Sequence, residues 1–404
     1  MLNYVINKKD LFTYIIYILV FSFFIGNAIV INSNIYFYRV VFLLFFTVCF
    51  FLLIFKKNLI IKIPKIANYL YFLIFLYIYS SISMAWSKVI YQSVTYNLYL
   101  GIGIFTTLII SLAIKTNTTL YRIFYIWYFI LFAQLLLAFL EIFYGVHISN
   151  SRYYGKNINI PTGFFNNEND FATFIVLSLP ILFIFSKKKN ILINLFILFF
   201  SIFVIFETSS RTNIITLFFL MILYLEIYKK KKISLMLITL AFIFLAYKYE
   251  FLFNLIENAR ILDFIDESII IRFNNILLSV KALIQSYMFG VGAGGMENFI
   301  LNNSNYGIKA VHNWYFEILG NHGLIIFIGY LIFIFFSILS LVNIINKANN
   351  KLNKKIATIL LFSNIGFLFG CVSMSTVIHF LPYWILLGVT LCFINNYRQG
   401  VKYL

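Results

Sequence analysis

Gly323-Leu324-Ile325-Ile326-Phe327-Ile328-Gly329-Tyr330-Leu331-Ile332-Phe333-Ile334-Phe335-Phe336-Ser337-Ile338-Leu339-Ser340-Leu341-Val342 is a run of 20 residues without a single charge. A helix of that length reaches across the ~30 Å hydrocarbon core of a bilayer. Outward from it, similar apolar stretches recur near 11–32, 35–55, 67–83, 96–114, 121–144, 168–186, 190–206, 212–228, 233–249, 356–372 and 377–395. With 322–343 they predict about twelve transmembrane helices. The composition agrees, with 62% hydrophobic and 11% charged residues, against roughly 45–50% and 25% in soluble domains. The chain reads as an all-α integral membrane protein, one polytopic domain over residues 1–404.

Charge sets the expected orientation. The two termini and every second break between spans hold 21 of the 31 Lys and Arg, opposed only by Asp10 and Glu226. The rest of the chain carries 10 basic and 11 acidic residues, so the net charge of +18 comes from one side. This is the positive-inside pattern and puts both termini in the cytoplasm. The lysine runs at 187–189 and 229–232 are orientation anchors, and no basic stripe is left outside for a nucleic acid. Cys49, Cys371 and Cys392 fall in or beside apolar spans without CxxC spacing and read as structural thiols. The first span lacks a small-residue cleavage pattern and reads as the insertion signal itself.

Three polar segments interrupt the helices, all on the expected outer side: 145–170, the turn Glu207-Thr208-Ser209-Ser210-Arg211-Thr212-Asn213, and the large outer loop 250–312. In the loop, Phe251, Leu252 and Leu255, then Ile271, Phe273, Ile276, Leu277 and Val280, recur at helical spacing and predict amphipathic helices on the membrane surface.

Few groups here can do chemistry. Gly290-Val291-Gly292-Ala293-Gly294-Gly295 satisfies G-x-G-x-x-G, but without a βαβ unit it reads as a turn allowing close backbone packing. Arg211 is either a snorkelling interfacial residue or a phosphate clamp, since a guanidinium grips phosphoryl oxygens with two parallel bonds. Arg272, flanked by apolar residues, needs Asp266, Glu267 or an anionic ligand as partner. Arg260 is a weaker version of the same idea. Arg39 reads as a snorkelling residue, and Glu141 and Glu168 as partners for outer arginines. His312, where the outer loop re-enters the membrane, is either a cap or packing residue or a group that takes a proton from a hydroxyl. His322 and His379 read as helix-end residues and His147 as a loop residue. No His, Cys, Asp or Glu set has metal-ligand spacing.

Together these residues resemble the O-antigen ligase/polymerase superfamily, bacterial membrane glycosyltransferases of the Wzy and WaaL type. Gly163-Phe164-Phe165-Asn166-Asn167-Glu168-Asn169-Asp170-Phe171-Ala172 is similar to the family's G-x-F-x-N-x-N-x-F-A opening of a helix. Ser210-Arg211 matches its S-R turn. Arg272 with Phe289-Gly290-Val291-Gly292 matches its R…G-V-G segment, and Val311-His312-Asn313 with Gly323-Leu324 its H-N…G-L segment. Members often carry an acid two positions before the Gly-Leu step; Asn321 stands there, and Glu317 is the substitute. The resemblance implies a GT-C-like fold and an undecaprenyl-diphosphate-linked oligosaccharide as donor, used at the outer face of the cytoplasmic membrane. It implies that Arg211 and Arg272 hold the diphosphate and His312 acts at the acceptor hydroxyl, with Ser210, Asn313, Glu317 and Arg260 in support. It further implies inversion, no metal, no cofactor, membrane lipid around the site, and a flippase and a chain-length regulator as partners.

A polymerase of lipid-linked repeat units is the leading reading, and a ligase moving finished glycan to a lipid or wall acceptor is its alternative. A peptidoglycan polymerase would lean on Asp263 or Asp266 instead of His312. A lipid-linked sugar transporter would need ionisable groups deep within the spans, which carry nearly none.

Overall fold

The computed structural model describes residues 8–32, 35–55, 64–185, 191–227, 267–304 and 310–400. Its helices are α1 (Lys8–Ile25), α2 (Phe37–Phe55), α3 (Ala67–Ser83), α4 (Ile90–Ala113), α5 (Asn117–Tyr144), α6 (Glu168–Ser178), α7 (Ile191–Glu207), α8 (Arg211–Ile227), α9 (Glu267–Gln285), α10 (Gly295–Asn303), α11 (Trp314–Lys347), α12 (Lys351–Gly370) and α13 (Leu381–Arg398). One short antiparallel hairpin, Val30–Asn32 with Ile35–Tyr36, joins α1 to α2. The protein is an all-α membrane protein, and six helical stretches are long and apolar enough to cross a bilayer. Eleven of the twelve expected spans coincide with a described helix. The remaining span, 233–249, lies outside the described residues, as do Arg260, Asp263, Asp266 and the expected helix around Phe251.

Polarity is arranged for lipid. Leu43, Leu44, Phe196, Phe199, Ile325 and Phe335 are exposed on the outside of the bundle, where acyl chains replace water as the solvent. At the centre α13 is enclosed on all sides, with residues 381–396 all buried. Several of its polar groups find partners: Thr107 donates to the Trp384 carbonyl at 2.9 Å, Asn364 to the Thr390 hydroxyl at 2.9 Å, and Asn396 to the Ile114 carbonyl at 3.0 Å. Such internal bonding lets polar side chains persist where no water reaches them.

The breaks between helices gather at two ends. At one, Arg398 donates to the Lys65 carbonyl at 2.9 Å and Lys355 to the Ile184 carbonyl at 3.4 Å. At the other, Trp86 donates to the Gly290 carbonyl at 3.0 Å, Asn167 to the Ser375 hydroxyl at 3.2 Å, and Ser210 to Asn169 Oδ1 at 2.8 Å. That second end carries every motif quoted above.

Four elements depart from expectation. α1 stops at Ile25, where Gly26 takes a left-handed φ of 55° and starts the hairpin turn. The span from 168 is α-helical only to Ser178 and tightens to a 3₁₀ turn over Leu179–Phe185, where Pro180 withholds an N–H. α11 begins at Trp314, well before the apolar run, and kinks at Gly323. α13 begins at Leu381, so His379 sits in the turn before it.

Candidate active site

The segment that carries α9 and α10 is anchored on the kink of α11. Gly323 has φ 81° and ψ −176°, a conformation closed to side-chain-bearing residues. A Cβ on Gly290 would lie 2.5 Å from the Asn321 carbonyl oxygen. With both side chains absent, two backbones meet directly. Leu324 donates to the Met288 carbonyl at 3.0 Å, Val291 to Gly320 at 2.9 Å and Gly292 to Asn321 at 3.0 Å. The G-V-G and G-L motifs are therefore the two halves of one contact. Ser83 receives the Ala293 N–H at 3.0 Å and fixes the same turn to α3.

α9 and α10 build a small core on this anchor from Leu278, Ala282, Met296, Ile300 and Val311. α9 is amphipathic as expected, although its other face leaves Phe273, Leu277 and Ile284 exposed. Asn275 donates to the Ala310 carbonyl at 2.8 Å, tying the stretch before α11 to the helix that carries Arg272 one turn earlier.

His312 is placed by its neighbours. Val311 is buried in the small core, and Asn313 caps α11 by accepting the Tyr315 and Phe316 N–H groups at 3.1 and 3.4 Å. Between them His312 adopts φ 54°, a left-handed conformation uncommon for a non-glycine residue. Its Nδ1 is buried without a hydrogen-bond partner. Capping of α11 thus falls to Asn313 and not to His312. Burial first, then the guanidinium charges of Arg272 and Arg152, hold the imidazole down from 6.5 to about 4. The ring is neutral at physiological pH and stands in the field of two arginines.

Arg152 has no local sequence signal beyond lying in an outer segment. It pairs with Glu168 at 2.6 Å, and Tyr153 donates to the same carboxylate at 3.3 Å. Glu168 is thus the partner of an arginine, one of the two carboxylates for which that role was open. Glu141 is not. Its carboxylate accepts the Thr162 and Gly163 N–H groups at 2.9 Å each and faces His147 Nδ1 at 3.1 Å, pinning residues 145–163 to the end of α5.

Arg211 opens α8 at the same end of the bundle. Ser210 donates to Asn169 at 2.8 Å and accepts from Asn213 at 2.9 Å. Asn213 reaches Ser373 at 3.4 Å. The turn 371–376 is the shared wall: Trp314 N–H bonds the Cys371 carbonyl at 3.3 Å, and Thr376 donates to Glu317 Oε1 at 2.7 Å. Glu317 is buried beside Tyr96, with Oε2 lacking a partner that meets hydrogen-bond geometry. The structure therefore brings His312 into the field of Arg272 and Arg152 and puts Glu317 one turn into α11, while Arg211 opens α8 next to Ser210, whose partner Asn213 reaches Ser373.

His322 stands at the kink of α11, at the end of its first helical stretch as expected, and is buried against Tyr79 and Tyr96 with ring centroids 6.4 and 5.6 Å away. Arg39 does not snorkel. Its guanidinium carbon lies 4.6 Å from the centre of Tyr36 and 5.3 Å from that of Tyr99, and it bonds the hydroxyls of Tyr38 and Tyr99. His147 lies in the loop after α5, as expected, and is buried there in the Glu141 cluster.

Comparison with known proteins bears on the same region. The sequence model of the O-antigen ligase family matches residues 196–334, which include Arg211, Arg272, His312 and the Gly290–Gly323 contact. Over almost its whole length the chain is similar to the teichuronic acid biosynthesis protein TuaE of Bacillus subtilis (strain 168). The two are 25% identical over 422 residues, covering 97% of this chain and 86% of that protein.

Proposed function

This chain belongs to the O-antigen ligase/polymerase superfamily, and on that premise we propose that it is a polysaccharide polymerase of the cell envelope. It transfers glycan from undecaprenyl diphosphate onto a second lipid-linked repeat unit at the outer face of the cytoplasmic membrane. The observation that carries the reading is a neutral imidazole, His312, held in the field of Arg272 and Arg152.

The acceptor hydroxyl oxygen attacks the anomeric carbon as the bond from that carbon to the phosphate oxygen breaks. The electron pair leaves on undecaprenyl diphosphate, and the hydroxyl proton passes to His312. A single displacement inverts the anomeric centre. The diphosphate is already a competent leaving group. Fixed guanidinium groups, Arg272 and Arg211 with Arg152 added, stabilise the charge it gains. Arg211 contributes from the first position of α8, where helix N–H groups also favour phosphate. A diphosphate between the arginines offsets their effect on the imidazole, so His312 becomes a better base once donor is bound. The name of the relative supports a cell-envelope glycan as product.

Incubation of the purified protein with lipid-linked repeat units, read as a ladder on a gel, tests the proposal. The family description favours ligation as the second reading. Donor that stays intact until a separate lipid or wall acceptor is added would replace polymerase by ligase.

A further inference from the structure

Beside the site lies a cavity of about 290 Å³. It is at the small end of the roughly 300–1,000 Å³ of small-molecule sites. On one side stands Arg39, whose planar guanidinium is held among Tyr36, Tyr38 and Tyr99. Tyr99 in turn meets the edge of His379 with ring centroids 4.0 Å apart. On the other side Phe165 packs on Phe380 at 5.5 Å, and Asp170 completes the wall. Thr376 belongs to this cavity and also donates to Glu317, so the cavity and the His312 site share the turn 371–376.

Asp170 has a structural job, but the job uses only half of it. Its N–H and Oδ2 exchange bonds with the Asn167 side chain at 2.9 and 2.8 Å, closing the first turn of α6. Oδ1 is buried beside the Ser375 backbone N–H, a contact short of full hydrogen-bond geometry. A buried carboxylate oxygen so weakly paired is costly and is better satisfied by a hydroxyl donor. Aromatic faces, a planar donor and an acceptor carboxylate around a ring-sized space match a sugar, which offers C–H faces and hydroxyl edges together. The arrangement suits neither an apolar lipid tail nor, with Asp170 in the wall, a polyphosphate.

We propose that the cavity between Arg39, Tyr99, His379 and Asp170 is a glycan subsite that seats a sugar ring of the acceptor and presents its neighbouring hydroxyl to His312. The inference rests on the glycosyltransferase reading and adds where the acceptor is recognised.

The test uses the full-length protein in detergent and, as probe, the lipid-free oligosaccharide released by mild acid from the same cells' lipid-linked precursor. Saturation-transfer NMR and calorimetry measure its binding to the unaltered protein and to His312→Ala, Asp170→Asn and Asn166→Trp. Asn166 is exposed at the rim, so tryptophan there blocks the cavity without entering the core. Binding of undecaprenyl diphosphate by each variant reports that it is folded. The expected result is oligosaccharide binding by the unaltered and His312→Ala proteins. Asp170→Asn and Asn166→Trp should bind it at least about tenfold more weakly, the loss of one charged hydrogen bond, with diphosphate binding unchanged. Equal binding by all four proteins overturns the subsite, and so does an absence of binding by the unaltered protein. In either case a polymer ladder from the unaltered protein shows that the catalytic reading survives on its own.

Discussion

Replacing Gly323 by alanine attacks the contact on which the outer loop is built. The alanine would have to hold φ 81°, ψ −176°, which costs about 1–3 kcal/mol, and its methyl would press on the Met288–Phe289 backbone for about 1–3 kcal/mol more. The alternative is for the loop to swing away and give up the Leu324–Met288, Val291–Gly320 and Gly292–Asn321 hydrogen bonds, worth about 0.5–1.5 kcal/mol each. The molecule takes the cheaper route, so the loss is bounded at about 2–4 kcal/mol, or roughly a 30- to 1,000-fold fall in the ratio of docked to undocked loop. α1 to α8 do not rest on this contact, and the protein should still insert and purify. Hydrogen exchange at the amides of Val291, Gly292 and Leu324 should speed up by that factor. Polymer formation should fall with it, because α9 and Arg272 ride on the loop. Unchanged exchange at these amides in a protein of normal activity would refute the account of the paired motifs.

Three further substitutions probe the chemistry. His312→Ala should lower the rate of polymer formation by about 10²- to 10⁴-fold, the usual worth of a general base, while undecaprenyl diphosphate still binds; a ladder of normal rate removes His312 from the mechanism. Arg272→Gln removes a positive charge beside the imidazole, so the His312 pKa should rise from about 4 toward, but not to, 6.5, because burial is the larger cause. NMR titration of the histidine reads this, and a fall would reverse the sign of the argument. In the unaltered protein the acid limb of kcat/KM, set by free enzyme, should lie near that low value. The limb of kcat should stand at higher pH, since bound diphosphate offsets the arginines; coincident limbs would deny the coupling. Arg152→Gln breaks an ion pair whose arginine is 47% exposed, so Tm should hardly move, yet turnover should drop. Loss of stability without loss of turnover would make Arg152 a structural residue.

The spans were legible because lipid imposes a length and a composition on every crossing. α7 and α8 lie within about a residue of the expected 190–206 and 212–228. The start of α11 was not legible, for a physical reason. Glu317 and Asn321 are polar, and hydropathy leaves them outside the expected span 322–343. In the fold both are buried, and the partners that permit it, Thr376 for Glu317 and the Met296 N–H for Asn321, come from other segments. The same holds for the site. His312, Arg211 and Arg272 stood out as rare polar residues at span ends. Arg152 and Arg39 did not, because what distinguishes them is the company of residues far along the chain. A guanidinium among tyrosines and one at a lipid interface look alike in sequence.

The arrangement also explains how a chain with so few polar residues can carry a polar reaction. None of the proposed reacting groups sits mid-bundle, where an unpaired charge would oppose insertion. They stand on turns at one end, and each turn is fixed by an inexpensive local device: Asn167 capping α6, Asn313 capping α11, Ser210 bonded to Asn169, two glycines in backbone contact. The bundle supplies stiffness beneath them, above all through the enclosed α13. Because the turns lean on each other through residues 371–376, moving one moves its neighbours. That is why a methyl group at Gly323, which touches no reacting atom, should be felt at Arg272 and His312.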